Sequence, residues 1–184
     1  AAPAGAATPP PWQAADTVRS QVLEAQSALI LDEDGGAERD IARARAAFDD
    51  LAAASDGSDP AAVRDGRRAL AAAGKAVAAK DGVALAAAGG TVRAAVFRLS
   101  YASTLAATRR GDAATARGWM LVREFRTATR FTRPGAEGTL FIRGLGRGRV
   151  SPAAATTAVR KDLLDAYQAR LRELLTDAQR GEAK

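Results

Sequence analysis

The sequence predicts an all-α fold, a helical bundle of about six helices in antiparallel hairpins. Three observations carry this. Alanine, the best helix former, accounts for 48 of the 184 residues. Apolar residues recur at spacings of three, four and seven over stretches of 15 to 25 residues, the period of one helix face. Between those stretches lie short clusters of Gly, Pro, Ser and Asp, which interrupt helices by known turn chemistry.

Residues 1–12, Ala-Ala-Pro-Ala-Gly-Ala-Ala-Thr-Pro-Pro-Pro-Trp, read as a flexible Pro/Ala-rich leader, and 13–184 as a single helical domain. The first helix is expected from about Gln13 to Leu31, with Val18, Val22, Ala25 and Leu29 inward. Asp32-Glu33-Asp34-Gly35-Gly36 ends it. A second helix, about Ala37 to Ala54, sets Ile41, Phe48 and Leu51 on one side. Ser55 to Pro60 breaks the chain again, and Pro60 suits the first turn of the next helix, where its missing N–H costs nothing. The third, about Ala61 to Ala79, places Val63, Leu70 and Val77 at heptad spacing. The fourth, about Val83 to Arg109, holds Val92, Val96, Leu99 and Leu105 inward, with a kink or short break expected at Gly89-Gly90.

Gly111-Asp112 is a stop followed by an N-cap. It opens a fifth helix, about Ala113 to Phe131, ended by Arg133-Pro134-Gly135. Thr139 to Ile142 has the composition of a short strand but no neighbour to pair with, so a short apolar turn of helix or a packed loop is expected. Ser151-Pro152 supplies an N-cap and a proline for a long last helix to about Gln179. Val159, Leu163, Ala166 and Leu174 are expected to pack inward.

Charge is distributed unevenly. Residues 1–60 carry 4 basic and 11 acidic side chains, net −7, and residues 93–149 carry 12 Arg against Asp112, Glu124 and Glu137, net +9. Within the basic stretch, Arg123, Arg126, Arg130 and Arg133 fall within about 80° of one another if the helix is continuous, with Leu121, Phe125 and Ala128 facing elsewhere. Such a row needs a negative counterpart. It can pair with acidic side chains of the first two helices, dock on anionic lipid headgroups or a partner protein, or bind nucleic-acid phosphates. The overall net charge of +6 argues weakly for nucleic acid, because 23 of the 27 basic residues are Arg in a chain rich in Ala, Gly and Pro. All four have G/C-rich codons.

The absence of Cys and His excludes thiol chemistry, Cys/His zinc sites and His-based acid–base catalysis. No phosphate loop of the Gly-x-x-x-x-Gly-Lys type occurs, and Gly144-Leu-Gly-Arg-Gly148 lacks the lysine that would follow it. An enzyme is not expected. Any metal site must use oxygen ligands, suited to Fe³⁺, Ca²⁺ or Mg²⁺. Asp32, Glu33 and Asp34 form the densest acidic cluster, with Glu38 nearby. Asp49-Asp50 and Asp56 with Asp59 are smaller ones. Glu124 is the remaining candidate, with Asp162 and Asp165 able to face it from the last helix. The ordinary role of such carboxylates is a solvated turn or an ion pair to Arg. The longest uncharged run after the leader, Gly82 to Val92, is far below the ~20 apolar residues of a membrane helix, and the Ala/Pro-rich start reads as what remains after a signal peptide is removed.

The stretch Gly111-Asp-Ala-Ala-Thr-Ala-Arg-Gly-Trp-Met-Leu-Val-Arg-Glu-Phe-Arg-Thr-Ala-Thr-Arg-Phe-Thr-Arg-Pro-Gly-Ala-Glu-Gly-Thr139 resembles the extracytoplasmic helical region of bacterial Ftr-type high-affinity iron permeases. Trp12 to Ser20 and Lys161 to Arg172 are similar to the same region. In that family the iron-carrying signature is Arg-Glu-x-x-Glu on membrane helices. Here Arg123-Glu124 lacks the second Glu, so no ligand carries over. The resemblance implies an exported accessory domain, on the periplasmic or extracellular face of the membrane. It would help capture or deliver iron, held if at all by carboxylates, or dock to the membrane part of the permease. The competing expectation is a basic helical module binding nucleic acid or another polyanion.

Overall fold

Local capping chemistry sets where the helices begin. In the computed structural model, which describes residues 10–31, 33, 35–129 and 136–182, the Asp59 carboxylate accepts from the Ala62 N–H at 2.9 Å and Pro60 fills the first helical position. Asp81 does the same for Ala84, Asp112 for Thr115, and the Ser151 hydroxyl for Ala154. Each satisfies an N–H that the first helical turn leaves without a partner. The described residues form eight helices and no strand: α1 (Pro11–Ile30), α2 (Gly36–Ala54), α3 (Pro60–Ala78), α4 (Gly82–Arg109), α5 (Ala113–Met120), α6 (Arg123–Thr129), α7 (Gly138–Leu145) and α8 (Pro152–Glu182). The all-α expectation holds. α1 starts inside the expected leader, and the count is eight rather than six, because the fifth helix is two helices and residues 138–145 form one of their own.

The chain folds as two compact units, 1–103 and 104–184, with the division inside α4. In the first unit, consecutive helices run antiparallel. Phe48 of α2 lies on Gly66 of α3, while Arg45 and Ile41, earlier in α2, lie on Gly74, later in α3. A Cβ on Gly66 would run into the Phe48 ring, so glycine is what lets that ring reach full burial. Arg45 crosses the same seam to donate to the Leu70 carbonyl at 3.1 Å. Arg98 of α4 clasps the start of α3 through Asp59 at 3.2 Å and Asp65 at 2.8 Å.

α4 is continuous through Gly89-Gly90, where a kink or short break was expected, so there is no break. The reason is packing. A Cβ at Gly89 would lie 3.0 Å from Val22 Cγ1, so the glycine admits α1 at close range instead of interrupting α4. By length and composition alone α4 is long and apolar enough to cross a membrane. In this fold Leu85, Val92, Val96 and Leu99 are buried on its inner face, and Arg98 is tied to α3.

The second unit gathers Trp119, Val122, Phe125, Ile142, Val159 and Leu163 into its core. The expected helix over 113–131 turns at Leu121-Val122, which shifts the register. Val122 is therefore buried, whereas Leu121, expected inside, is exposed. α7 is anchored by α8. The buried Asp162 carboxylate accepts from the N–H groups of Glu137 at 2.9 Å and Gly138 at 2.7 Å, serving as the cap that α7 lacks in its own sequence. α8 is buried as far as Ala166, and Leu174, expected to pack inward, is 47% exposed.

Candidate functional site

Burial of Val122 and Phe125 fixes how α6 sits, and so where the arginine row points. Arg123 and Arg126 are exposed, and Glu124 is half-buried with Oε2 inside the protein. Arg130 and Arg133 lie outside the described residues, as does the side chain of Ala128. The turn at 121–122 means that Arg123 and Arg126 belong to a seven-residue helix and not to one long face continuing α5.

The carboxylates proposed to join Glu124 have other employment. Asp162 holds the start of α7, and Asp165 is paired with Lys161 at 2.8 Å, which raises the Lys161 pKa through that hydrogen bond and the nearby negative charge. Among the described residues no group of three or more Asp, Glu, His or Cys side chains is placed to hold a metal ion. Of the acidic cluster between α1 and α2, Glu33 is described and exposed, while Asp32 and Asp34 lie outside the described residues. Glu33 and Glu38 line a small cavity with Lys80, a cation that competes for their charge. An open groove of about 500 Å³ between α3 and α4 is walled mostly by alanine methyl groups, with Asp65, Arg68, Thr91 and Arg98 among them.

One surface was missed by the sequence reading. Beyond Ala166, α8 exposes Leu171, Leu174 and Leu175, and with Leu164 and Tyr167 these lie on one side of the helix at spacings of three, four and seven. Leu164 is 62% exposed and Leu175 63%. The signal was present as a second apolar stripe on the last helix, offset from the Val159, Leu163 and Ala166 stripe that faces the core.

The model of the iron permease FTR1 N-terminal domain matches residues 7–184. The chain belongs to the FTR1 iron permease family. This is a family of transporters and not of enzymes, and its work is iron transport at a membrane. Comparison with curated proteins and with solved structures gives no match.

Proposed function

We propose that this chain is the extracytoplasmic accessory domain of an iron-uptake permease and works by seating against the permease's membrane part. The observation that carries the reading is the exposed face of α8. Five large side chains, Leu164, Tyr167, Leu171, Leu174 and Leu175, are held in water by a helix whose other stripe already fills the core. Contiguous exposed apolar surface of this kind marks protein–protein contact sites. The family match favours this partner over a polyanion, so the nucleic-acid module is the weaker reading.

The chain has no cysteine, so single-cysteine variants are clean probes. Leu171→Cys carrying a photo-crosslinker is expected to form an adduct with the membrane part in cells, and the same label on exposed Ser20 is not. Equal adduct yields from both positions would remove the docking reading. The second part of the proposal is iron capture by Asp32, Glu33 and Asp34. Weak Fe³⁺ binding that disappears in the triple Asn/Gln/Asn variant of 32–34 supports it, and unchanged binding in that variant moves the site elsewhere.

A further inference from the structure

The second unit is strongly basic, with 16 Lys and Arg against 8 Asp and Glu, whereas the first has 11 against 13. Much of this excess converges on one corner. The α4–α5 connection and the α7–α8 connection lie side by side. A Cβ at Gly146 would be 3.2 Å from the Ala113 Cβ, and one at Gly111 would be 3.9 Å from Pro152 Cγ. Arg109 and Arg110 precede Gly111, and Arg147 and Arg149 flank Gly148, whose φ of +67° turns the chain toward α8. All four arginines are exposed, and none has an ion pair within the described residues.

The acidic residue in these two connections, Asp112, offsets one of the four charges and leaves the corner at net +3. Asp112 spends its carboxylate on the Thr115 N–H and side chain, and these hydrogen bonds hold its pKa below the ordinary value, with the nearby Arg110 adding to the effect. Four like charges brought together by two separate turns, with one carboxylate among them, are a built electropositive surface.

We propose that Arg109, Arg110, Arg147 and Arg149 form a docking surface for the phosphate headgroups of an anionic lipid bilayer. The family places the chain at a membrane. The outer face of α7 carries Leu140, 61% exposed, one turn from exposed Arg143, and an apolar side chain beside guanidinium groups suits the headgroup–acyl boundary. No aromatic residue lies in either connection to stack on bases, as single-stranded nucleic acid would use. The proposal rests on the membrane setting of the family and not on contact between α8 and the permease.

The test is sedimentation of the whole chain with vesicles of 30% phosphatidylglycerol in phosphatidylcholine, against pure phosphatidylcholine. Each arginine at an anionic surface contributes about fivefold in partitioning. Changing all four to Gln is therefore expected to lower partitioning by several hundredfold, about 600 at full engagement, and Arg147→Gln/Arg149→Gln alone by ~25-fold. The charge-matched control Arg39, Arg64, Arg68 and Arg93→Gln, all exposed in the first unit, should lose far less. Wild-type binding should weaken as salt rises. Equal losses in corner and control variants, or equal wild-type binding to both vesicle types, overturn the proposal. So does duplex DNA binding that depends on the corner in a chain that ignores vesicles. Because the vesicles hold no permease, failure here leaves the α8 crosslink to stand or fall by itself.

Discussion

Asp162→Ala should cost the second unit about 3 kcal/mol, and the structure supplies the terms. The carboxylate is 4% exposed and accepts two backbone N–H groups, from Glu137 and Gly138. Truncation leaves both without a partner. The Gly138 N–H is buried and bears the full penalty of an orphaned donor, about 2 kcal/mol, while Glu137 is exposed enough for water to replace part of the bond, leaving about 1 kcal/mol. Asp162→Asn keeps one carbonyl oxygen for one donor and turns an NH₂ toward the other, so about 1–2 kcal/mol is expected. The control is Asp165→Ala, which removes an exposed ion pair with Lys161 worth about 0–1 kcal/mol. Urea unfolding followed by far-UV circular dichroism measures all three, with the slope against urea unchanged if only stability has moved. Asp162→Ala and Asp165→Ala unfolding at the same urea concentration would show that the two Asp162 bonds do not stabilise this unit. If Asp162 served a metal instead, its removal would abolish iron binding and leave the apo-protein as stable as before.

Gly66→Ala drives a methyl group into the buried Phe48 ring and should destabilise the first unit by about 1–3 kcal/mol, with Phe48→Leu in the same chain recovering part of the loss on urea unfolding. Arg98→Gln removes contacts to Asp59 and Asp65 but leaves partly exposed carboxylates, so a change of about 0–1 kcal/mol that shrinks with added salt is expected from the same assay. Asp112 has its pKa below the ordinary 3.8, so its contribution is fully present above that pH and fades as the solution is acidified through the folded-state value. An Asp112→Asn variant should lose that part of the acid dependence. Changing exposed Leu171 and Leu174 to Asp should leave circular dichroism and unfolding unchanged while reducing iron uptake in cells carrying the permease.

What the sequence made legible was local. Pro60, Gly111-Asp112 and Ser151-Pro152 each announce a helix start by local chemistry, and each stands where expected. What it hid depended on neighbours. Gly89-Gly90 has the composition of a break, yet the approach of Val22 makes it a packing device. Spacings of four and seven place Leu121 on one face with Phe125 and Ala128, but the helix is interrupted at 121–122, where Val122 is buried and Leu121 exposed. The cap of α7 comes from Asp162, 24 residues after Gly138, at no spacing a sequence reading could test. The α8 leucines satisfied the rule for a buried stripe and are exposed, because periodicity reports an apolar face without reporting what covers it. The candidate site was legible only in part: the Arg123 and Arg126 side chains are outward, while the corner at 109–110 and 147–149 arises from two turns that meet only in the fold.

Nineteen of the thirty-seven buried hydrophobic residues among those described are alanines. Such a core has little left to delete, since cutting a methyl back to hydrogen removes one carbon. Its vulnerability runs the other way, toward growth. A substitution that adds two carbons at Ala15, Ala25 or Ala73, each with no exposed surface, has to push two helix axes apart, because interiors are packed to the density of organic crystals. Variation in this chain should therefore be lopsided. Buried sites will accept Gly or Ser more readily than Val or Leu, the reverse of the pattern in a leucine-built bundle, where the losses come from cavities.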